Sequence, residues 1–375
     1  MTSVAFLYLG GPHQVFHAAP AAAELARLDP AFRVVNYAMG DRSAALIRQV
    51  YAAYGAPAPD IRAFDPPWWG ELAAKVSGRA SARKLPALFS HRRELGDFDA
   101  LVTAECSSSI LRRMGLADAT MVLIPHGAGD RAISVEPRMA LFDHVIVAGP
   151  KNAARMVDEG VVAPHRCSEV GYLKLDLMQR LRGRQEPLFA NDRPTVLYNP
   201  HFKRELSSLP MARAVIAAFA AQDRFNLVFA PHIRAFEDAG AAERASWEAL
   251  AVDGQIIVDL GSDRLLDMSY AIGAAIYLGD VSSQVYEFLA EPRPCVFVDA
   301  HNVAWRGDPS YAFWNLGDVC TPDAVLATVA DASAQHHHYI EAQRSAVGAS
   351  FGDSHGAALR AAERILQLIR TTKAS

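Results

Sequence analysis

The sequence predicts an α/β protein made of two open, mostly parallel sheets in succession. Apolar runs of strand length alternate with helical or turn-rich segments, and that rhythm lapses once, at Arg182 to Pro194, before it restarts. The runs are continuous rather than alternately polar and apolar, which is the pattern of strands buried on both faces. With 375 residues, 51% hydrophobic and 21% charged, the chain can supply two ordinary cores.

The opening element is the apolar run VAFLYLG, broken by Gly10-Gly11-Pro12 and followed by a helical pattern from about His17 to Arg27 and a second strand, FRVVNYA. ALVTAE, MVLIPH and HVIVAG continue the series, with a short strand at CSEVG. The segment RGRQEPLFANDRP has little periodicity and reads as a surface linker. Beyond it PTVLYNP, NLVFAPH, QIIVDLG, AAIYLGD and CVFVDA read as strands, with helices at about Met211 to Ala221, Arg264 to Ala271 and Gln284 to Ala290. Ala358, Ala362, Ile365, Leu366 and Ile369 recur at helical spacing and predict a terminal amphipathic helix. The expected division is an N-terminal domain over 1–185, a second over 186–354, and a C-terminal helix over 355–375 that returns to the first.

Composition excludes several function classes. Lys plus Arg total 37 against 41 for Asp plus Glu, a net charge of -4, so the chain lacks the positive field with which nucleic-acid binders neutralise phosphates. Cys106, Cys167, Cys295 and Cys320 lie far apart, which argues against a disulfide framework or a thiolate zinc site and fits a reducing cytoplasm. Met1 leads into the apolar run without a basic n-region or cleavage site, so export is not expected. Since no window approaches the roughly 20 apolar residues that span a bilayer, membrane contact would be at most peripheral, at the inner membrane. His336, His337 and His338 are consecutive and point in different directions on a helix, which suits a surface better than a metal site. No metal or cofactor is expected. GxGxxG, GxxxxGK[ST] and GxSxG are all absent, which disfavours a dinucleotide fold, a P-loop and a nucleophile elbow.

In open parallel sheets ligands bind beyond the carboxyl ends of the strands, so the residues that follow each strand are the candidates. After the first strand come Gly11 and His13; after MVLIP come His126, Gly127, Asp130 and Arg131. An imidazole there suits a general base, because its ordinary pKa of about 6.5 lets it take a proton from a hydroxyl near neutral pH. VLYNP leads to His201, Lys203 and Arg204, and NLVFAP to His232. AAIYLG ends at Asp280, followed by Ser282, Ser283 and a helix carrying Glu287; two hydroxyls at a helix N-terminus can form a site for a diphosphate.

In order, PHGAGD (125–130), VGYLKLD (170–176), VLYNPHFK (196–203), LVFAPH (227–232), YLGDVSSQVYEFLAEPRPCVFVD (277–299) and GDPSYAFWNLGD (307–318) resemble the CDP-glycerol glycerophosphotransferase family of teichoic-acid and capsule polymer enzymes. The resemblance implies a GT-B fold, two facing Rossmann-like domains with the C-terminal helix packing back across the crevice. It implies transfer of a polyol phosphate from a CDP-activated donor to a glycan hydroxyl, with His126 as base, His232 on the donor, Ser282 and Ser283 on its diphosphate, and Glu287 at the ribose. Gly127, His201, Lys203 and Asp280 would complete the donor side, and Gly11, His13 and Arg131 the acceptor side. Two alternatives stay open: a GT-B glycosyltransferase or non-hydrolysing UDP-sugar 2-epimerase, for which Asp130 or Glu105 could act at the sugar carbon, and a non-catalytic nucleotide-sugar binding protein.

Overall fold

The computed structural model describes residues 2–77, 80–116, 118–125, 135–182, 186–282 and 284–374. The chain forms two compact units, 1–181 together with 348–375, and 182–347. The first contains β1 (Ser3–Tyr8), α1 (Val15–Leu28), β2 (Arg33–Ala38), α2 (Asp41–Tyr54), β3 (Asp60–Ala63), α3 (Trp68–Ser77), α4 (Lys84–Leu95) and β4 (Ala100–Thr103). It continues with α5 (Ile110–Arg113), β5 (Thr120–Leu123), β6 (His144–Val147), α6 (Pro150–Asp158), β7 (Cys167–Glu169) and α7 (Leu173–Leu181). The second contains β8 (Thr195–Asn199), α8 (Ala212–Ala220), β9 (Asn226–Phe229), α9 (Ala241–Glu248), β10 (Ile256–Val258), α10 (Ser269–Gly273) and β11 (Ile276–Gly279). α11 (Gln284–Phe288), β12 (Cys295–Val298), β13 (Asp318–Cys320) and α12 (Val325–Gln335) follow, and α13 (Ile340–Phe351) and α14 (Ala357–Ala374) end the chain.

Both sheets are parallel throughout, as the continuous apolar runs predict. Their orders are β3-β2-β1-β4-β5-β6-β7 and β10-β9-β8-β11-β12-β13. In each sheet the order reverses at one place, between β1 and β4 and between β8 and β11, where diverging crossovers open a crevice beyond the strand ends. One core gathers Leu7, Tyr37, Leu101, Leu123 and Val145 beneath α4 and α5, and the other gathers Tyr198, Phe219, Phe229, Leu278 and Val296 beneath α8 and α12.

The terminal helix explains much of the alanine enrichment. Ala357, Ala358, Ala361, Ala362, Ile365 and Ile369 of α14 are buried, and α14 lies against α1, itself lined by buried Ala18, Ala19, Ala22 and Ala23. Small side chains on both helices allow close approach. The helix is anchored by Asp176, whose carboxylate accepts from the backbone N–H groups of Gly356 (3.0 Å) and Ala358 (3.1 Å) and from the Tyr54 hydroxyl (3.0 Å). Phe351 stacks on Tyr172 at 4.4 Å just before it. Gly171, at φ 91°, admits this segment because a Cβ there would lie 2.0 Å from the Asp353 carbonyl oxygen. Within VGYLKLD, therefore, Gly171, Tyr172 and Asp176 serve to fasten α14.

The helix expected at Arg264 to Ala271 is instead a 3-10 turn, Asp263–Leu265, and the short α10. Met268 between them is left-handed at φ 63°, and the Asp267 carboxylate accepts from Ser269 N–H at 2.8 Å, restarting the chain as a new helix. β3 and β13, carrying Asp60, Arg62 and Asp318, are short edge strands that the apolar pattern does not disclose.

Candidate functional site

At the reversal point of the first sheet, the loop after β1 and the turn after β4 form a polar cluster around Glu105. Its carboxylate accepts from Gln14 Nε2 at 2.7 Å, pairs with Lys84 Nζ at 2.7 Å and accepts from the Ser107 hydroxyl. Gln14 is held by Gly10 N–H, which donates to its Oε1 at 2.7 Å. A Cβ on Gly10 would displace the Gln14 amide, which would lie 2.2 Å from it, and Gly11 takes φ 95°, a backbone conformation that favours glycine. His13 is half-buried in the 3-10 turn Pro12–Gln14 beside it.

Burial raises the Glu105 carboxyl, but Lys84, Ser107 and Gln14 outweigh it and hold it below the ordinary glutamate range. A lowered folded-state pKa contributes stability above the ordinary range that is lost as pH falls through the lowered value. Glu105→Gln, which leaves the Lys84 ammonium unpaired, is accordingly expected to cost about 2 kcal/mol at neutral pH. Denaturant titrations across the acid range should show that difference vanish; a pH-independent difference would overturn the assignment.

At the reversal point of the second sheet, His201, Phe202 and His232 cluster beyond β8 and β9. The two imidazole centroids are 5.5 Å apart, Phe202 lies 4.8 Å from His232, and the Arg234 guanidinium covers the Phe202 ring at 4.5 Å. Lys203 N–H donates to His201 Nδ1 and Arg234 N–H to His232 Nδ1, each at 3.2 Å. With Nδ1 accepting, a neutral imidazole carries its proton on Nε2. The pair stands at the point where parallel sheets bind phosphorylated ligands.

Asp280 faces inward. Its carboxylate is buried and accepts from His201 N–H (3.0 Å), Ser207 Oγ (3.0 Å), Ser208 N–H (2.7 Å), Ser208 Oγ (2.9 Å) and Val281 N–H (2.5 Å). Its place directly after a strand suggests a donor ligand, whereas these bonds make it the pin that shapes the 200–208 loop and thereby seats His201. Burial raises its carboxyl above the ordinary aspartate range, against those donors. Ser282 is buried and its Oγ accepts from Gln284 N–H at 3.4 Å, capping α11. Glu287 lines a small cavity of about 30 Å³ with Asn199, Arg264, Met268, Tyr270 and Gln284. Lys203 is exposed.

His126, Gly127, Asp130 and Arg131 lie outside the described residues, as does Ser283; β5 ends at Leu123, shortly before His126. The structure thus brings together His201, His232 and Asp280 in the second unit, while Gly11 and His13 sit beside Glu105 in the first. Sequence reasoning missed Gln14, Lys84, Ser207 and Ser208. Gln14 carried a weak signal as a polar residue at the foot of an alanine-rich helix after two glycines; Lys84 carried none, since 21 residues separate it from Glu105. Among the described residues no group of His, Cys, Asp and Glu could hold a metal ion. His336 and His337 are hydrogen-bonded to the Gln343 side chain and the Ala334 carbonyl.

No protein-family model matches the chain. No curated protein matches it either. Solved structures do match, over nearly its whole length. S. aureus MnaA, solved with UDP, is 13% identical, with 99% of this chain and 97% of that one covered and a TM-score of 0.65. The wall teichoic acid polymerase TagF, soaked with CDPG, is 11% identical over 99% of this chain and 88% of that one, with a TM-score of 0.64. A UDP-GlcNAc 2-epimerase from Neisseria meningitidis, bound to UDP-GlcNAc, is 11% identical over 98% and 100%, with a TM-score of 0.59. At these identities the likeness is one of fold, and the chain shares the GT-B architecture of two parallel-sheet, Rossmann-like domains.

Proposed function

We propose that this protein is a transferase that moves a polyol phosphate from a CDP-activated donor to an acceptor hydroxyl. The observation that carries the reading is the His201/His232 pair at the reversal point of the second sheet, its imidazole centroids 5.5 Å apart. Imidazoles at such a point suit the oxygens of a diphosphate, to which Ser282 and Ser283 before α11 would add hydroxyls. The fold shared with a teichoic acid polymerase soaked with CDPG supports this reading.

In the proposed reaction the acceptor oxygen attacks the phosphorus that bears the polyol, forming one P–O bond as the bond to CMP breaks. His126 takes the hydroxyl proton, and CMP leaves with the electron pair of the broken bond. Charge is spread over oxygens throughout, so positioning and electrostatic stabilisation carry the rate. Reaction at a cytoplasmic face, with at most peripheral membrane contact, fits the chain's composition.

A second reading, 2-epimerisation of a UDP-sugar, is favoured by Glu105: a largely buried carboxylate, kept ionised by Lys84, is the kind of group that could act at a sugar carbon. Two of the structures with this fold were solved with UDP or UDP-GlcNAc. Incubation with CDP-glycerol, CDP-ribitol and a set of UDP-sugars, following thermal stabilisation and nucleotide release, separates the readings. Stabilisation with CMP release on a CDP-polyol is the expected result. A response confined to UDP-sugars transfers the assignment to epimerisation or glycosyl transfer, and stabilisation by a nucleotide donor without turnover marks a binding protein.

A further inference from the structure

α3 is an amphipathic helix turned inside out. Its buried positions are Gly70 and Ala74, with Gly70 packed so tightly that a Cβ would lie 2.5 Å from Pro86 of α4. Its large apolar residues point to solvent: Trp68 is 78% exposed, Leu72 54% and Val76 81%, at successive i, i+4 spacing on one face, with Trp69 beside them. On α4, Leu85 and Phe89 are likewise spaced i, i+4 and are 52% and 46% exposed. The other large apolar side chains exposed among the described residues, Leu28, Leu141 and Val252, are scattered singly. Isolated exposed apolar residues are ordinary, but three in register along one face of α3, with two more in register on the neighbouring α4, mark a surface that something covers.

Charge and residue type identify what covers it. Residues 68–95 carry Lys75, Arg79, Arg83, Lys84, Arg92 and Arg93 against Glu71 and Glu94, in a chain whose net charge is -4. Both acids are engaged by arginines, Glu71 by Arg83 at 2.7 Å and Glu94 by Arg62, which leaves Lys75, Arg92 and Arg93 uncompensated among the described residues. Arg92 lies over the exposed Phe89 ring at 4.0 Å. Tryptophan, leucine, valine and phenylalanine set among basic side chains are the composition of an interfacial helix that enters the headgroup layer of an anionic bilayer. Tryptophan in particular favours that depth, where its ring is apolar and its N–H stays wet.

We infer that the α3–α4 hairpin is the surface by which this protein docks on an anionic lipid bilayer. Lys84, in the first turn of α4, reaches Glu105 at the crevice of the first sheet, so docking holds that crevice beside the headgroups, where a hydroxyl carried by a lipid would be accessible. The docking does not depend on which reaction the protein performs, and its test involves no donor.

The test is sedimentation of the purified full chain with phosphatidylcholine vesicles, with and without phosphatidylglycerol, over a range of salt. The chain is expected to sediment with the phosphatidylglycerol vesicles alone, less so as salt rises, and with blue-shifted tryptophan emission. Lys75→Gln with Arg93→Gln should weaken the partition about fivefold for each charge removed. Trp68→Ser, Leu72→Ser and Val76→Ser together should abolish it while leaving the melting temperature unchanged, since all three side chains already face solvent. Failure of the wild type to bind anionic vesicles, or equal binding by both variants, would overturn the inference. So would a dimer in solution that the triple variant converts to monomer, which would assign the face to a second copy of the chain.

Discussion

His126→Ala is expected to lower turnover on a CDP-polyol about 100-fold or more, while leaving the thermal shift caused by the donor in place. The expectation rests on the place of His126 in the chain: β5 ends at Leu123, beside β4 and its Glu105 turn, so the histidine follows a strand next to the crevice of the first sheet. Single-turnover rates of both proteins, measured beside the donor-induced thermal shift, check the two together. Unchanged turnover in the variant would remove His126 from the chemistry, whatever the donor proves to be.

The largest loss of stability is expected from Asp280→Ala. The substitution leaves the backbone N–H groups of His201 and Ser208 and the hydroxyls of Ser207 and Ser208 facing a small cavity in a buried place. Unsatisfied buried donors add up, and the cost should be about 3 kcal/mol. For a unit the size of 182–347 this corresponds to a fall in melting temperature of about 10 °C. Because the Asp280 carboxyl is raised in the folded chain, its contribution is full below the ordinary aspartate range and declines as pH rises through the raised value. The gap between wild type and variant should thus narrow with rising pH, opposite to the behaviour of Glu105→Gln. Donor affinity should fall as well, because the loop that seats His201 loses its pin, and Asp280→Asn, which keeps one acceptor oxygen, should recover part of both.

The two acids also show how far the sequence could be read. Both follow strands at a crevice, the position where polar residues are expected to meet ligand. Which of them turns inward depends on partners far along the chain: Lys84 and Gln14 converge on Glu105, while Ser207 and Ser208 close over Asp280. No local pattern encodes those meetings. The strands themselves were legible because burial on both faces demands uninterrupted apolar runs, a constraint written residue by residue. β3 and β13 escaped because an edge strand is stabilised by its one neighbour and needs no such run. The break at Met268 escaped because Asp267 caps the new helix from within what reads as continuous helical sequence.

By itself, then, the sequence determined two parallel α/β units in succession, since hydrophobic period is a local property. The tertiary structure decided which polar residues after the strands are consumed in holding loops, and it decided that the apolar face of α3 looks outward. Those outcomes depend on which distant side chains meet, and burial, charge pairing and donor satisfaction are settled only when they do.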